Sequence, residues 1–259
     1  MTTAQDGDKR RDCGCGEGKL FVIGIGPGDP GHRTAHAVRA LEKSNVIAGY
    51  GPYVDAIADL VEGKELIVTG MKGEVERCRW ALSRAVRGDV VSLVSSGDAG
   101  VYGMAGLAIE LAVKDGLDVD IETIPGVTAV LAAAAELGAP LMNDFAVISL
   151  SDLLTPLETV MMRVDAAGRG DFVTAIYNPM SSRRRGQFPE AIRILRQYRQ
   201  PETPCGIVTA AGTPASSRVF TRLYDVEHHD ITMRSIVVVG NSGTEIVGGR
   251  MVTLRGYRL

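Results

Sequence analysis

The feature that most constrains the fold is a regular alternation of short apolar runs with helical segments. The run LFVIGIG at residues 20–26 is continuously apolar, as expected of a strand in a parallel sheet that is covered on both faces. A helical pattern follows over residues 33–43, and the same order of strand and helix repeats as far as residue 137. This alternation predicts an α/β fold with a mostly parallel sheet.

The second half of the chain predicts a lobe with a different sheet. Strand patterns at residues 145–152 and 171–179 each lead into a helix, whereas strand patterns dominate residues 204–242. Strands that dominate late in the chain favour a mixed sheet, and a cleft between two lobes is a natural place for a large ligand. We predict a disordered tail over residues 1–18, an N-terminal α/β lobe over 19–142 and a C-terminal α/β lobe over 143–259.

Composition excludes several classes of protein. The formal net charge is -3 and aromatic residues make up 5%, which argues against binding along phosphate backbones and against base stacking. The most apolar long run, residues 126–142, contains Glu136 and is too short to cross a bilayer comfortably. The start of the chain lacks the apolar core of a signal peptide. We expect a cytoplasmic protein with no nucleic-acid or membrane partner.

The loop after the first strand, Gly24–Pro30, has the sequence GIGPGDP and resembles two nucleotide-binding loops only superficially. A dinucleotide-binding loop needs glycine at the sixth position of its motif, where this chain has Asp29. A carboxylate there would repel a pyrophosphate. The lysine and hydroxyl residue that end a P-loop are also missing. A tight turn in which Asp29 caps the following helix remains an alternative.

A second glycine loop, SSGDAGVYG at residues 95–103, also follows an apolar strand. Loops that leave parallel strands at their carboxyl ends lie at one edge of the sheet, where open α/β sheets bind ligands. Glycine at positions 97 and 100 permits close approach, and Asp98 supplies a carboxylate. An ordinary turn between strand and helix is the alternative for this loop.

Taken together, the motifs resemble the tetrapyrrole (precorrin) methylase family, in the family's order and from about residue 20 to the end. Within the family, the stretches IAGYGPYVD, LGAPLMNDFAVISLSDLLTP and YNPMSSRRR are most similar to enzymes that methylate carbon 17 of precorrin-3B with ring contraction. Ala99 departs from the family, which often has proline there. The matching segments are GIGPGDP at 24–30, SSGDAGVYG at 95–103, PGVTA at 125–129, ISLSD at 148–152, YNP at 177–179, TAAGTP at 209–214 and VVVGNS at 237–242.

The resemblance implies a two-lobed fold, a homodimer, and S-adenosyl-L-methionine bound in the cleft between the lobes, largely through backbone groups. It also implies a methyltransferase that acts on a tetrapyrrole in cobalamin biosynthesis. The cofactor-binding residues carried over by motif are Pro27, Ser96, Gly97, Asp98, Val101, Thr128, Ala129, Tyr177, Asn178, Thr209 and Ala210.

Ring contraction would benefit from a base near a substrate hydroxyl, and Asp29 and Asp98 are the nearest carboxylates by motif. The substrate carries acetate and propionate groups, so we expect guanidinium partners for it. The run Arg183, Arg184 and Arg185 directly follows YNPMSS and is the candidate for this contact, although a run of charge is also typical of a solvated surface.

We predict no metal site. His32 and His36 are four residues apart at the start of a helix, a spacing that suits a shared ligand but equally a polar helix face. Cys13 and Cys15 lie in the polar tail. We expect no function for them there, and a metal-binding or redox role is the alternative. The four cysteines do not form a disulfide framework, which indicates a reducing compartment.

Three other functions remain open from the sequence alone. A methylase of the same family that acts at another tetrapyrrole carbon would share these motifs. A non-catalytic tetrapyrrole carrier could keep the fold without transferring a methyl group. A nucleotide-binding regulator is a third alternative, which Asp29 disfavours.

Overall fold

The computed structural model describes residues 18–181 and 183–257, so most of the predicted tail, including Cys13 and Cys15, lies outside the described residues. The N-terminal lobe alternates strands and helices, as the sequence predicts. Its elements are β1 (Lys19–Gly24), α1 (Ala35–Lys43), β2 (Val46–Tyr50), α2 (Gly51–Asp55), β3 (Glu65–Thr69), α3 (Glu74–Val86), β4 (Val90–Ser95), α4 (Ala105–Lys114), β5 (Asp120–Ile124) and α5 (Ala129–Leu137).

The first sheet has the strand order β3-β2-β4-β1-β5, and every neighbouring pair in it is parallel. Its central strands are buried because helices cover both faces: α3 and α4 pack on one face, and α1 and α2 pack on the other. Leu20, Val22 and Ile23 are fully buried, which explains the continuous apolar run that predicts β1. The carboxyl ends of all five strands therefore lie at one edge.

The C-terminal lobe contains a second five-stranded sheet of order β10-β9-β11-β8-β7. Strands β7 and β8 are parallel, whereas β8, β11, β9 and β10 pair antiparallel, so the prediction of a mixed sheet is confirmed. Its elements are β7 (Phe145–Ser149), α6 (Leu157–Arg169), β8 (Val173–Tyr177), α7 (Gln187–Leu195), β9 (Pro204–Thr209), β10 (Ser217–Arg222) and β11 (Ser235–Val239), preceded by β6 (Gly138–Ala139) and followed by β12 (Thr244–Val247) and β13 (Arg250–Thr253).

Helix α5 packs on the second sheet although it precedes residue 143. Its residues Ala132, Ala133 and Leu137 share a buried cluster with Val208 and Val238. The next two residues form β6, which pairs with β13 at the end of the chain in a small third sheet. We therefore propose a boundary between the lobes just before α5, while the predicted boundary at 142/143 stays a prediction.

Three local predictions differ from the structure. The pattern of residues 53–61 predicts one helix, but the structure has two short helical turns, Gly51–Asp55 and Ala58–Leu60. The Ala-rich run at residues 126–137 predicts a helix from residue 126, but the helix begins at Ala129, because residues 125–128 are not helical. Strands β6 and β12 were not predicted, since two- and four-residue strands carry too little pattern. Within the described ranges, no helix has both the length and the apolar character needed to cross a membrane.

Candidate active site between the two lobes

Three loops meet at the carboxyl edge of the first sheet with their backbones in direct contact. Gly26 and Gly97 exchange two hydrogen bonds, from each amide to the other carbonyl, at 3.0 and 2.7 Å. A Cβ on Gly126 would lie 2.1 Å from the Gly97 carbonyl oxygen and 2.5 Å from that of Gly24. No Cβ fits at Gly24 or Gly126, and Gly97 has a φ of +66°, so these three glycines are structural requirements.

The Asp98 carboxylate ties two of these loops together. Its Oδ1 accepts from the amides of Gly100 and Val101 at 2.8 and 3.1 Å. Its Oδ2 accepts from the amide of Gly126 at 2.9 Å. The predicted cofactor-binding residues Ser96 and Val101 are both exposed on this loop. Asp98 therefore fixes the loop after β4 against the start of the PGVTA segment.

Asp29 caps a short turn and not helix α1. Its Oδ1 accepts from the amide of Gly31 at 2.7 Å within the 3-10 turn Pro30–His32, whereas the Thr34 hydroxyl caps α1 through Ala37. Asp29 therefore acts as a capping residue, as the alternative proposed, but it caps this short turn and not the long helix that follows. The backbone amide of Asp29 donates to the Gly212 carbonyl at 2.9 Å, which joins this loop to the second lobe.

The loop at residues 210–216 closes on the first glycine loop. A Cβ on Gly212 would lie 2.4 Å from Cγ of Pro27, so the proline ring packs flat against this glycine. Glu136 of α5 holds the loop in place, because its carboxylate accepts from the Gly212 amide at 2.8 Å and from the Ser216 hydroxyl at 2.6 Å. The sequence identified Glu136 only as an interruption of an apolar run.

Tyr177, at the end of β8, caps the start of α5, the helix that packs on the same sheet. Its hydroxyl accepts from the Val130 amide at 2.8 Å and shares a hydrogen bond of 2.7 Å with the Thr128 hydroxyl. No hydrogen bond from the amides of Thr128 or Ala129 to a described residue is present. The first turn of a helix leaves such amides available to an anionic group. Burial raises the pKa of the Tyr177 phenol, so it stays protonated.

Tyr102, on the loop after β4, joins the lobes at a second point. Its hydroxyl donates to the Val147 carbonyl at 3.2 Å and accepts from the Ser149 amide at 3.0 Å, both on the edge strand β7. Its ring lies 5.4 Å from that of Tyr177. Tyr102 has a φ of 54°, a conformation that costs energy in a bulky residue, so the surrounding contacts must hold it there.

The other predicted cofactor residues of the second lobe lie at strand ends. Asn178 has a φ of 50° and donates to the Ser149 hydroxyl at 2.9 Å. Ala210 has a φ of 55° and leads into the loop that reaches Pro27. Thr209 bonds Ser235 through its hydroxyl at 2.8 Å and lines a separate cavity with Ile207. The preceding residue, Val208, packs on α5, so the side chain of Thr209 lies on the opposite face of the sheet and only its backbone is left for the predicted ligand.

The three consecutive arginines do not form one group. Arg183 and Arg185 are exposed. Arg184 is only 12% exposed, and its Nη1 donates to the Leu150 carbonyl at 2.8 Å while Nε lies 3.8 Å from Oδ1 of Asp152. The guanidinium of Arg184 is therefore engaged in holding the turn after β7, and it is poorly placed to turn toward a substrate.

The two histidines have separate surroundings. His36 Nε2 lies 3.1 Å from the Glu122 carboxylate, and Nδ1 of His32 is buried without a hydrogen-bond partner. Among the residues that the structure describes, no group of three His, Cys, Asp or Glu side chains could hold a metal ion.

A cavity of about 190 Å³ opens beside the loop after β4. It is lined by side chains from that loop and from two elements of the first lobe, α2 and α3. The lining residues with polar or charged groups are Tyr50, Tyr53, Glu74, Arg77, Ser95, Ser96 and Tyr102. Since Ser96 belongs to the predicted cofactor loop, this cavity adjoins the predicted cofactor site.

This arrangement, two α/β lobes whose glycine loops close on one another, is also the fold of solved methyltransferases. The crystal structure of the methyltransferase CobJ aligns with a TM-score of 0.86 and 39% identity, covering 92% of this chain and 100% of that one. A uroporphyrin-III C-methyltransferase from Thermus thermophilus, in complex with S-adenosylhomocysteine, aligns with a TM-score of 0.68 and 26% identity over 86% of this chain.

The chain belongs to the tetrapyrrole (corrin/porphyrin) methylases, because that family's model matches residues 19–227. A probable cobalt-factor III C(17)-methyltransferase of Salmonella typhimurium is 46% identical over 93% of this chain and its own full length. The cobalt-factor III methyltransferase of Priestia megaterium is 47% identical, but this chain spans only 46% of its length. A precorrin-3B C(17)-methyltransferase of a Sinorhizobium species is 36% identical over 89% of this chain and 91% of that protein.

Proposed function

We propose that this chain transfers the methyl group of S-adenosylmethionine to carbon 17 of cobalt-factor III in cobalamin biosynthesis, with contraction of the ring. The observation that carries the proposal is 46% identity to the Salmonella enzyme over that protein's full length. The lower identity of 36% to the precorrin-3B enzyme favours the cobalt-containing substrate over the metal-free one.

The residues of the cleft fit the cofactor. Gly97 brings bare backbone next to the start of α5, because a Cβ there would lie 3.7 Å from the Ala129 amide nitrogen. The first-turn amides of α5 suit the carboxylate of the cofactor's methionine portion, and Tyr177 orients them from the second lobe. Pro27 packs against Gly212 in the loop that begins at Ala210, and Gly97 faces Cα of Thr128, so predicted cofactor residues of different motifs come together in pairs. The relative from Thermus thermophilus, in complex with S-adenosylhomocysteine, supports the same ligand here.

A sulfonium cofactor supplies an activated methyl group, so the protein needs no nucleophile of its own. The task of this chain is to align the substrate carbon behind that methyl group and to exclude water. Alignment of this kind contributes up to about 7–11 kcal/mol in favourable systems. Asp98 serves this purpose by fixing the loop of Ser96 and Gly97 against Gly126. Asp29 remains the candidate base for the ring contraction.

The test is to incubate the purified protein with cobalt-factor III and cofactor whose methyl group is labelled with ¹³C. We expect a product heavier by one labelled methyl, with the label at carbon 17 by nuclear magnetic resonance, and no product when the cofactor is omitted. A label at another carbon would assign the chain to a different methylase of the family. Binding of the tetrapyrrole without transfer would identify a carrier, and the proposal would be wrong.

A second candidate substrate is metal-free precorrin-3B, which the Sinorhizobium relative supports. Parallel assays with both substrates decide between them through kcat/KM, the quantity that measures discrimination.

A homodimer is proposed from the family resemblance, and sedimentation of the purified protein tests it.

A further inference from the structure

Arg77 is a buried cation that forms no ion pair with any residue the structure describes. It lies on α3 and is only 3% exposed, although arginine is almost never fully buried unless it is paired. Its Nε donates to the Thr69 hydroxyl at 2.8 Å and its Nη2 to the Gly70 carbonyl at 3.3 Å. Both acceptors are neutral, and no carboxylate of a described residue lies within 4.0 Å of the guanidinium.

The other buried arginine of the described residues shows what a satisfied guanidinium looks like in this fold. Arg199 is 7% exposed, lies 3.0 Å from the Asp171 carboxylate, and donates to the carbonyls of Gly168 and Phe172 at 2.8 and 3.0 Å. Burying a charge without such compensation costs several kcal/mol. Arg77 therefore lacks the carboxylate that Arg199 has.

The unused donors of Arg77 face the cavity beside the loop after β4. Its Nη1 donates to no described residue. Because this atom keeps some accessible surface, it is open to the cavity. Glu74 also lines the cavity but forms no ion pair with Arg77. The walls supply hydroxyls from Tyr53 and Ser96, and burial keeps the Tyr53 phenol protonated by raising its pKa.

We propose that Arg77 binds a carboxylate of one of the substrate's acetate or propionate side chains in this cavity, and so sets how the macrocycle lies over the methyl donor. This inference rests on the proposed function. A cavity of about 190 Å³ is smaller than the roughly 300–1,000 Å³ of sites that enclose whole ligands, so it takes a peripheral group while the ring lies in the cleft. A planar guanidinium binds a carboxylate through two parallel hydrogen bonds.

The adjoining loop explains why one side-chain contact could position the reaction. Ser96 lines the cavity and immediately precedes Gly97, which faces the backbone of Thr128, another predicted cofactor residue. A carboxylate held by Arg77 is therefore one loop away from the methyl donor. By contrast, the guanidinium of Arg184 already has a carboxylate beside it, with Nε 3.8 Å from Oδ1 of Asp152.

The experiment compares Arg77→Met and Arg77→Lys with the matched control Arg79→Met. Arg79 lies on the same helix but is exposed and pairs with Asp115 at 3.3 Å. For Arg77→Met we expect KM for cobalt-factor III to rise about tenfold or more, because a charge-assisted bidentate contact is lost. The dissociation constant for S-adenosylhomocysteine, measured by calorimetry, should stay unchanged. Arg77→Lys, which keeps the charge without the fork, should fall between.

Several outcomes separate this inference from the proposed function. If the wild type methylates cobalt-factor III but both Arg77 variants keep its KM, the carboxylate site is wrong and the proposed function stands. If both variants lose cofactor affinity as much as substrate affinity, Arg77 is merely structural and the site is again wrong. If the wild type binds uroporphyrin III without methylating cobalt-factor III, and Arg77→Lys weakens that binding, the site stands and the proposed function fails.

Discussion

Replacing Asp98 with asparagine separates a structural role for this carboxylate from a catalytic one. The side chain accepts three backbone hydrogen bonds, two on Oδ1 and one on Oδ2. Asparagine has one oxygen, so its amide nitrogen must face either the Gly126 amide or the amides of Gly100 and Val101. At least one charge-assisted bond is lost, which costs about 1.5–3 kcal/mol. For a chain of this size that lowers Tm by about 3–12 °C.

The assay measures Tm by calorimetry, cofactor affinity by titration, and kcat as a function of pH for Asp98→Asn. We expect Tm to fall and cofactor affinity to weaken together, because the Gly126 contact positions the start of α5. The control is Asp118→Asn, an exposed carboxylate before β5, which should leave all three quantities unchanged. An unchanged Tm with a large loss of kcat would refute the structural reasoning and identify Asp98 as the base.

The remaining predictions concern the glycine contact, the tyrosine between the lobes and a buried thiol. Gly126→Ala places a Cβ 2.1 Å from a backbone oxygen and should lower the free energy of unfolding, measured with denaturant, by at least about 1–3 kcal/mol. The control Gly106→Ala, in open space on α4, should be neutral or stabilising. Equal stabilities of the two variants would contradict the packing. Tyr102→Phe keeps the ring but loses two hydrogen bonds to β7, so unfolding free energy should fall by about 1–3 kcal/mol, and no change would show that the bonds contribute nothing. Burial raises the pKa of Cys205 from 9.0 to about 12, so its contribution to stability is complete below pH 9 and is lost as pH rises toward 12. Cys205→Val should flatten this alkaline loss of stability, and an identical pH profile would contradict it.

Much of the fold could be predicted because burial on both faces leaves a readable pattern. Strand β1 reads as a continuous apolar run since α1 and α3 cover it from opposite sides. The pattern fails where a segment is too short or is stabilised by distant partners. Strand β6 has two residues and exists only because β13, more than a hundred residues later, pairs with it. Helix α5 starts three residues later than its apolar composition predicts, after the extended segment that carries Gly126.

The candidate site was predictable where its chemistry resides in the backbone. Glycine at positions 24, 97 and 126 indicates close approach, and the structure shows the three loops in contact. Side chains that act across loops were harder to recognise. Arg77 had one available signal, a cation on the same helix stripe as the buried Ala81 and Ala85, but periodicity alone does not say that a cavity faces it.

The sequence by itself determined the α/β class, the order of the elements and the glycine loops, because these depend on local periodicity and on backbone conformations that few residues adopt. Only the tertiary structure decided which charges are free to bind a ligand. Arg184 and Arg77 are equally cationic in the sequence, yet Arg184 lies beside the Asp152 carboxylate, whereas Arg77 forms no ion pair with a described residue and lines a cavity. The physical reason is that the availability of a charge depends on neighbours brought in by the fold, which local sequence does not specify.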